Sequence, residues 1–314
     1  MSEAKSVAFR FQLSDWTLLR VRRPLLVRGF GLDQNPSGAA HLPDLPAGCA
    51  GLLLRSIVAT ETRTGFGPVA LDGRRMLRYV MQCFPRHYID MAQSFDAYKQ
   101  KFSGKTLATL RRKVKKFTEH GNGQVRWERF TQPDSLDRFW TLARQVSAKT
   151  YQERLLDAGL PEDPAYLLQA KQLAMADNVR AFLLFDGERP VSYLFCPVRD
   201  GIVEYAFLGY DPAYLRLSVG TVLQWFALES LFEEQRFRHF DFTEGESAHK
   251  RLFATSHLDC ANIALLTPTL GHHLLVRLHL GFGRLTEALG RWLDDHDLKV
   301  KIRRWMRFGR TAAT

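Results

Sequence analysis

The residues best placed to do chemistry lie in the run GYDPAYLRLSVGTVLQWFALESLFEE, residues 209–234. A tyrosine and an Asp-Pro turn lead into the small residues Ser218, Gly220 and Thr221, and a long apolar stretch follows. Small residues at a helix start leave backbone N–H groups free at the positive end of the helix dipole, which makes an anion site. Gly220 lets a ligand come close to the backbone. The plainer reading is an N-cap by Ser218 with Gly220 in the first turn. A second run, SGKT at 103–106, has the ending of a phosphate-binding loop, but that pattern needs a glycine five residues before Gly104, where the chain has Lys99. Ser103 is therefore read as a helix N-cap. Arg111, Arg112, Lys113, Lys115 and Lys116 follow closely. They form either a solvated helix face or a grip on an anionic substrate.

Metal chemistry finds no support. Cys49, Cys83, Cys196 and Cys260 are far apart, with no CxxC pair, and read as free thiols. His272 and His273 are adjacent, which is poor ligand spacing on one helix face, and no HExxH occurs.

The elements that must position these residues follow from periodicity. AGLLLRSIVATETR (50–63) reads as a strand and NPSGAAHLPDLPAG (35–48) as a loop, while RRMLRYVMQCFPRHYIDM carries one or two strands. In residues 95–123, Leu107, Leu110, Val114 and Phe117 form one apolar helical stripe that Ser103 starts and Gly121 with Gly123 ends. GNGQ, from Gly121, marks a domain boundary. QVRWERF is the next strand, followed by helices in QPDSLDRFWTLARQVSAKTY and GLPEDPAYLLQAKQLAMADN. VRAFLLF, VSYLFCPVRDG and IVEYAFLGYD form a meander, with a hairpin turn at Asp186-Gly187. The helix from Ser218 turns Val219, Leu223, Phe226 and Leu231 to one side; RFRHFDF is a strand and TEGESAHKRLFAT a loop with a short helix. The tail from Gly271 is helical and ends strongly basic. This order is a mixed α/β or α+β pattern rather than a barrel or a dinucleotide fold.

The bulk numbers bound the class. Of 314 residues, 46% are hydrophobic and 25% charged, ample for a packed core. The formal charge of +11 favours anionic partners: nucleic acid, phosphorylated small molecules, anionic glycans or a membrane face. No apolar run is long enough for a transmembrane helix and MSEAKSVAFRFQLSDW lacks a signal-peptide core, so a cytoplasmic protein is expected.

Meander, helix with a small-residue loop, strand, helix is also the element order of the GNAT N-acyltransferase core, which this chain resembles. In that superfamily the loop before the helix holds the pyrophosphate of acyl-coenzyme A, with the pattern Gln/Arg-x-x-Gly-x-Gly/Ala. The matching positions here are Leu215, Ser218 and Gly220, with Arg216 one place off. The resemblance implies acetyl-coenzyme A or another acyl-coenzyme A as a small-molecule acyl donor, held by Arg216, Leu217, Ser218, Val219, Gly220 and Thr221, with no metal. A narrower resemblance rests on KFSGKTLATLRRKVKKFTEHGNGQVRWERF, YQERLLDAGLP, LGYDPAYLRLSVGTVLQWFALESL and FRHFDFTEGESAHKRLFAT. These look like the double-GNAT acetyltransferases associated with cellulose and exopolysaccharide synthesis, relatives of the FemABX peptidyltransferases. That family commonly has Phe-Asp-Phe-x-x-Gly and then Tyr-Lys. Here Phe240, Asp241, Phe242, Gly245 and Lys250 match, and His249 replaces the tyrosine.

The fold so implied is a pair of tandem GNAT-like domains, each a mixed, mostly antiparallel sheet flanked by helices. They would cover 1–121 (degenerate) and 122–270 (catalytic), with a basic helical tail at 271–314. Acyl transfer to an amine or hydroxyl needs a neutral nucleophile, a polarised thioester and a protonated leaving thiolate. On this reading Asp241 accepts a proton or holds the acceptor, or else is a turn aspartate. Lys250 stabilises developing charge or neutralises a phosphate, and His249 is a general acid or base. Glu204 and Tyr205 alternate faces, so one of them enters the cleft: Tyr205 as proton donor to the thiolate, or Glu204 as base. Core packing is the alternative for Tyr205. The acceptor implied by family association is a glycan or nucleotide-sugar. Two other readings stay open: a FemABX-like transferase using aminoacyl-tRNA, and a non-catalytic protein that binds an anionic polymer through the basic helix and tail. The basic tail also suits peripheral membrane contact.

Overall fold

The computed structural model describes residues 4–13, 16–34, 43–58, 65–150 and 159–295. Contacts divide the chain into two compact units, residues 1–84 with 259–314, and residues 85–258. The boundary expected at Gly121 falls inside the second unit, as the C-cap turn of a helix. Residues 259–266, expected with the catalytic half, group with the first unit.

The first unit is built on strands. β1 (Ala4–Leu13) and β2 (Trp16–Gly29) pair antiparallel, and β2 runs parallel to β3 (Gly51–Val58). β3 pairs antiparallel with Cys260–Leu266 of the strand Ser256–Leu266. β4 (Phe66–Leu71) pairs with the start of β5 (Arg74–Asp90), which continues into the second unit. Successive residues alternate between two buried clusters. Leu52, Leu54, Ile263 and Leu265 pack in one; Leu53, Ala264 and Leu266 pack in the other, with Leu275 and Val276 from the helix Leu270–Asp295. Apolar residues on both faces of a strand are the mark of a covered sheet. The strand Ser256–Leu266 was not separately resolved by the sequence pattern, because two buried faces erase the period-two alternation that betrays a half-exposed strand.

The second unit is a mixed α/β fold, a GNAT-like domain with helices on a mixed sheet. α1 (Phe95–Lys99) is followed by α2 (Gly104–His120), whose N-cap Ser103 accepts the Thr106 N–H and whose C-cap is Gly121. SGKT is thus a helix start. Leu110 and Phe117 are buried, and the basic positions face outward. β6 (Arg126–Phe130), α3 (Ser135–Ser147) and α4 (Pro164–Met175) come next. β7 (Val179–Asp186) and β8 (Arg189–Arg199) form the expected hairpin, with Gly187 at φ +57° in its turn. Then come β9 (Ile202–Glu204), β10 (Phe207–Tyr210), a 3-10 turn (Pro212–Leu217), α5 (Val219–Glu233), β11 (His239–Asp241) and α6 (Ala248–Phe253). The pairing order is β6-β7-β8-β9-β11 and then residues 88–90 of β5. β9 and β11 run parallel, and parallel neighbours need a crossover, which α5 supplies.

α5 differs from the one-sided helix expected. Gly220, Val222, Leu223, Gln224, Ala227, Leu228, Leu231 and Phe232 are all buried, since it lies between β7, β8 and β10 on one side and α1 and α2 on the other. A helix covered on both sides is apolar all round. This placement fixes its N-terminus against the sheet, where the candidate site lies.

Candidate active site

A break in one strand opens the site. β9 pairs with β8 through Val203↔Val198, and β10 pairs with β8 through Phe207↔Phe195. Four steps on one strand therefore match three on the other, so one residue is extra at Tyr205–Ala206: a β-bulge. Before the bulge, β9 is held on both sides, by β8 and β11; after it, β10 pairs with β8. Gly209 is needed in β10, because a Cβ there would stand 2.3 Å from the Tyr193 ring.

The chain beyond β10 is tied down by charge. Asp211 caps the 3-10 turn, accepting the Ala213 N–H at 3.1 Å, while Arg189 and Lys149 donate to its other oxygen at 2.6 and 3.1 Å. Tyr214 donates to Asp186 at 2.7 Å. Lys116 of α2 donates to the Arg216 carbonyl at 3.0 Å. The turn ends at Ser218 with φ +54° and ψ 38°, a left-handed conformation in which its hydroxyl makes no cap bond. The Ser218 carbonyl instead accepts the Thr221 and Val222 N–H groups. That position is where the resembled motif has its first glycine, and left-handed backbone explains why glycine suits it. Among the described residues the N–H groups of Val219 and Gly220 make no hydrogen bond. The side-chain N-cap expected of Ser218 is therefore absent, and the first N–H groups of a long helix remain available to an anion.

Val219 and Gly220, both buried, belong to the wall of a cleft of about 450 Å³, lined also by Tyr205, Leu208, Tyr210, Leu215, Ser218, Thr221, Ser247, His249 and Lys250. The structure thus brings Tyr205, the 218–221 loop, His249 and Lys250 together. Glu204, Asp241, Arg216 and Leu217 are not among the lining side chains. Glu204, on the other face from Tyr205, lies 3.6 Å from Arg199, and burial raises its proton affinity. The Arg216 residue is exposed, and Leu217 packs on the core. The sequence reading missed Tyr210, Leu208 and Ser247 as cleft residues; the alternation of β10 and the Ser247 cap of α6 are the signals that could have placed them.

Asp241 ends β11 fully buried. Arg86 of β5 donates to it through Nε, at 3.1 Å to each carboxylate oxygen, and through Nη2. The Thr243 N–H donates at 2.8 Å. Its oxygens are thus spent on the protein, and the pair locks the exit of β11 into the loop that carries α6. Arg86 had no sequence signal, because its partner is 155 residues away and only the sheet brings them together.

α6 starts at Ser247, whose hydroxyl accepts the Lys250 N–H. The Lys250 ammonium donates to the Glu244 carbonyl at 2.5 Å. Burial lowers its pKa, and the charges of Asp241 and Glu244 work against that. Burial, with Lys113 and Lys250 nearby, pushes His249 down to about 4. Its Nε2 is buried without a hydrogen bond, and its ring lies 4.9 Å from that of Phe253. Burial also pushes the Tyr205 phenol well up, so it keeps its proton. At neutral pH the cleft therefore presents a neutral imidazole and a protonated phenol, beside an amine whose charge burial opposes and Asp241 and Glu244 favour.

His249 has a consequence for stability. As pH falls from the ordinary histidine value of 6.5 towards about 4, the unfolded chain takes up this proton and the folded chain does not. Folding stability then drops with falling pH, by as much as about 3 kcal/mol from this group. Denaturant midpoints measured at neutral pH and below pH ~5 should show that loss in the wild type and a smaller one in His249→Phe.

The fold defines a GNAT-like domain with a cleft at the N-terminus of its central helix. Residues 104–251, somewhat under half of the chain, match the family model of the acetyltransferase (GNAT) domain, which supports a transferase. Among solved structures, the chain is similar to the C-terminal domain (DUF2156) of a putative lysylphosphatidylglycerol synthetase from Agrobacterium fabrum, at 13% identity over 76% of this chain and 73% of that one, with a TM-score of 0.46. It is also similar to the L-PGS of Bacillus licheniformis (14% identity, 73% and 72% covered, TM-score 0.43) and to FemX (9% identity, 73% and 75% covered, TM-score 0.47). No curated protein matches the chain.

Proposed function

We propose that the second unit transfers an acyl group, acetyl in the simplest case, from acyl-coenzyme A to an amine or hydroxyl. The observation that carries the reading is the pair of N–H groups at Val219 and Gly220 that make no hydrogen bond, on two residues in the wall of the cleft that also holds Tyr205, His249 and Lys250. A bound coenzyme supplies an activated thioester. The residues do the rest. The N-terminus of α5 holds diphosphate by backbone donors and dipole. Fixing the donor there makes the reaction effectively intramolecular. Lys250 places positive charge where negative charge develops. Tyr205, protonated at rest, would give its proton to the leaving sulfur and take back the one that the attacking amine or hydroxyl releases. His249 is a weak base at about 4, so its part is to accept a hydrogen bond and orient a nucleophile that arrives neutral. Asp241 supports Lys250 from behind and does not meet the acceptor.

The finer reading stays with the resemblance. The acceptor would be a glycan or nucleotide-sugar, as in the cellulose- and exopolysaccharide-associated acetyltransferases, with a cytoplasmic location. The N-terminal half would be a degenerate GNAT-like domain. The basic face of α2 favours a second donor, aminoacyl-tRNA: Lys113 acts on His249 and Lys116 reaches the Arg216 carbonyl, so a polyanion on α2 would approach the same cleft.

The test is thiol release from acetyl-coenzyme A against a panel of hexosamines, nucleotide-sugars and simple amines. Lys250→Met should lower kcat about 100-fold with its circular dichroism unchanged, the scale of losing one charge-stabilising donor. Transfer abolished by ribonuclease would replace the coenzyme with aminoacyl-tRNA. A folded wild type that binds neither donor would leave a polymer-binding protein.

A further inference from the structure

The helix Leu270–Asp295 carries two apolar faces, and its fold uses one. Leu275 and Val276 are buried in the first unit, and Tyr79 shares a hydrogen bond with His279 Nδ1 at 2.6 Å. A second stripe is left bare: Leu270, Leu274, Leu278, Leu285, Leu289 and Trp292 are 90%, 59%, 56%, 65%, 40% and 51% exposed. At about 100° per residue these six fall within an arc of roughly 100°, a continuous ridge along the helix. Single exposed leucines are ordinary; five aligned with a tryptophan are an interaction surface.

We infer that this ridge lies on an anionic lipid surface. Charge selects that partner. Arg277 and Arg284, both exposed and one heptad apart, fall along one border of the ridge. The chain continues from residue 299 to 310 with Lys299, Lys301, Arg303, Arg304, Arg307 and Arg310, no acidic residue, and Trp305, Met306 and Phe308 among them. That segment lies outside the described residues; in the sequence it comes after the ridge and after Asp294, Asp295 and Asp297. Two identical chains meeting on this face would bring two such cationic segments together. Phospholipid headgroups would neutralise them, while the acyl boundary takes the leucines and Trp292 takes the interface. Among the described residues no helix is long and apolar enough to cross a membrane, so the contact is one of lying on the surface.

The experiment is vesicle co-sedimentation of the full chain, with phosphatidylcholine vesicles and with vesicles also containing phosphatidylglycerol. Light scattering of the protein alone is measured beside it. The wild type should sediment with the anionic vesicles, far less with neutral ones, and less as salt rises. Leu278→Glu with Leu285→Glu should weaken partition by about tenfold or more, since two apolar contacts are replaced by charges that an anionic surface repels. The melting temperature should stay, because both side chains are exposed. No binding to anionic vesicles would overturn the inference, as would binding that the glutamates leave unchanged. A wild-type dimer that the glutamates convert to monomer, without vesicle binding, would assign the ridge to a second copy and also overturn it.

Discussion

Gly220→Trp is expected to abolish measurable binding of acetyl-coenzyme A, a loss of about 100-fold or more, comparable to removing a handful of phosphate contacts. Gly220→Ala is expected to bind almost as the wild type does. The difference follows from the space around this residue. A Cβ at 220 would meet Tyr210 Cδ1 at 3.4 Å and Leu208 Cδ2 at 3.6 Å, ordinary contacts that alanine tolerates. An indole is far larger than that space and would displace Tyr210 and Leu208 or fill the cleft they line. Calorimetry reads the binding, and a thermal melt shows whether the tryptophan variant is folded. Equal binding by a folded Gly220→Trp would move the donor away from this loop. The proposed reaction would then lose its carrying observation.

Breaking the buried ion pair should have the largest effect on stability. Asp241→Ala leaves the Arg86 guanidinium in a site where its side chain is 6% exposed. Removing one partner of a buried ion pair costs about 3–5 kcal/mol. That is a large part of the stability of a typical protein. Arg86→Met should do comparable damage for the same reason. The double variant Arg86→Met with Asp241→Leu should recover most of the loss, because two apolar side chains of similar volume need no partner. Urea midpoints of the three variants give the comparison. If Asp241→Ala costs little, the pair does not lock β11 as described. If the double variant is stable and still binds the donor, Asp241 acts through structure and not through contact with the donor.

The same residues show where sequence reading works. Local features were legible because their causes are local. Ser103 and Gly121 bound α2 by capping, Asp186-Gly187 makes the hairpin, and the SGKT run fails as a phosphate loop for want of a glycine at Lys99. The order of elements from β7 to α6 was readable too, and with it the loop at 218–221. Long, regular segments with punctuating turns carry their own signal.

What only the tertiary structure decided are relations between distant residues. The bulge at Tyr205–Ala206 turns Tyr205 into the cleft and Glu204 away from it; alternation says they differ but not which faces which. Asp241 looked like a site carboxylate until a strand from far upstream brought Arg86 against it. His249 looked like an ordinary acid or base until burial and two lysines held it neutral. Ser218 stands in for a glycine because the turn before it forces a left-handed backbone. The exposed ridge of Leu270–Asp295 became visible only once the other face was seen to be docked. The sequence by itself determined the elements, their caps and their order, because these depend on neighbours a few residues apart. Which side chains share one desolvated space depends on contacts across the sheet, and that is where protonation states, free N–H groups and unpaired faces are set.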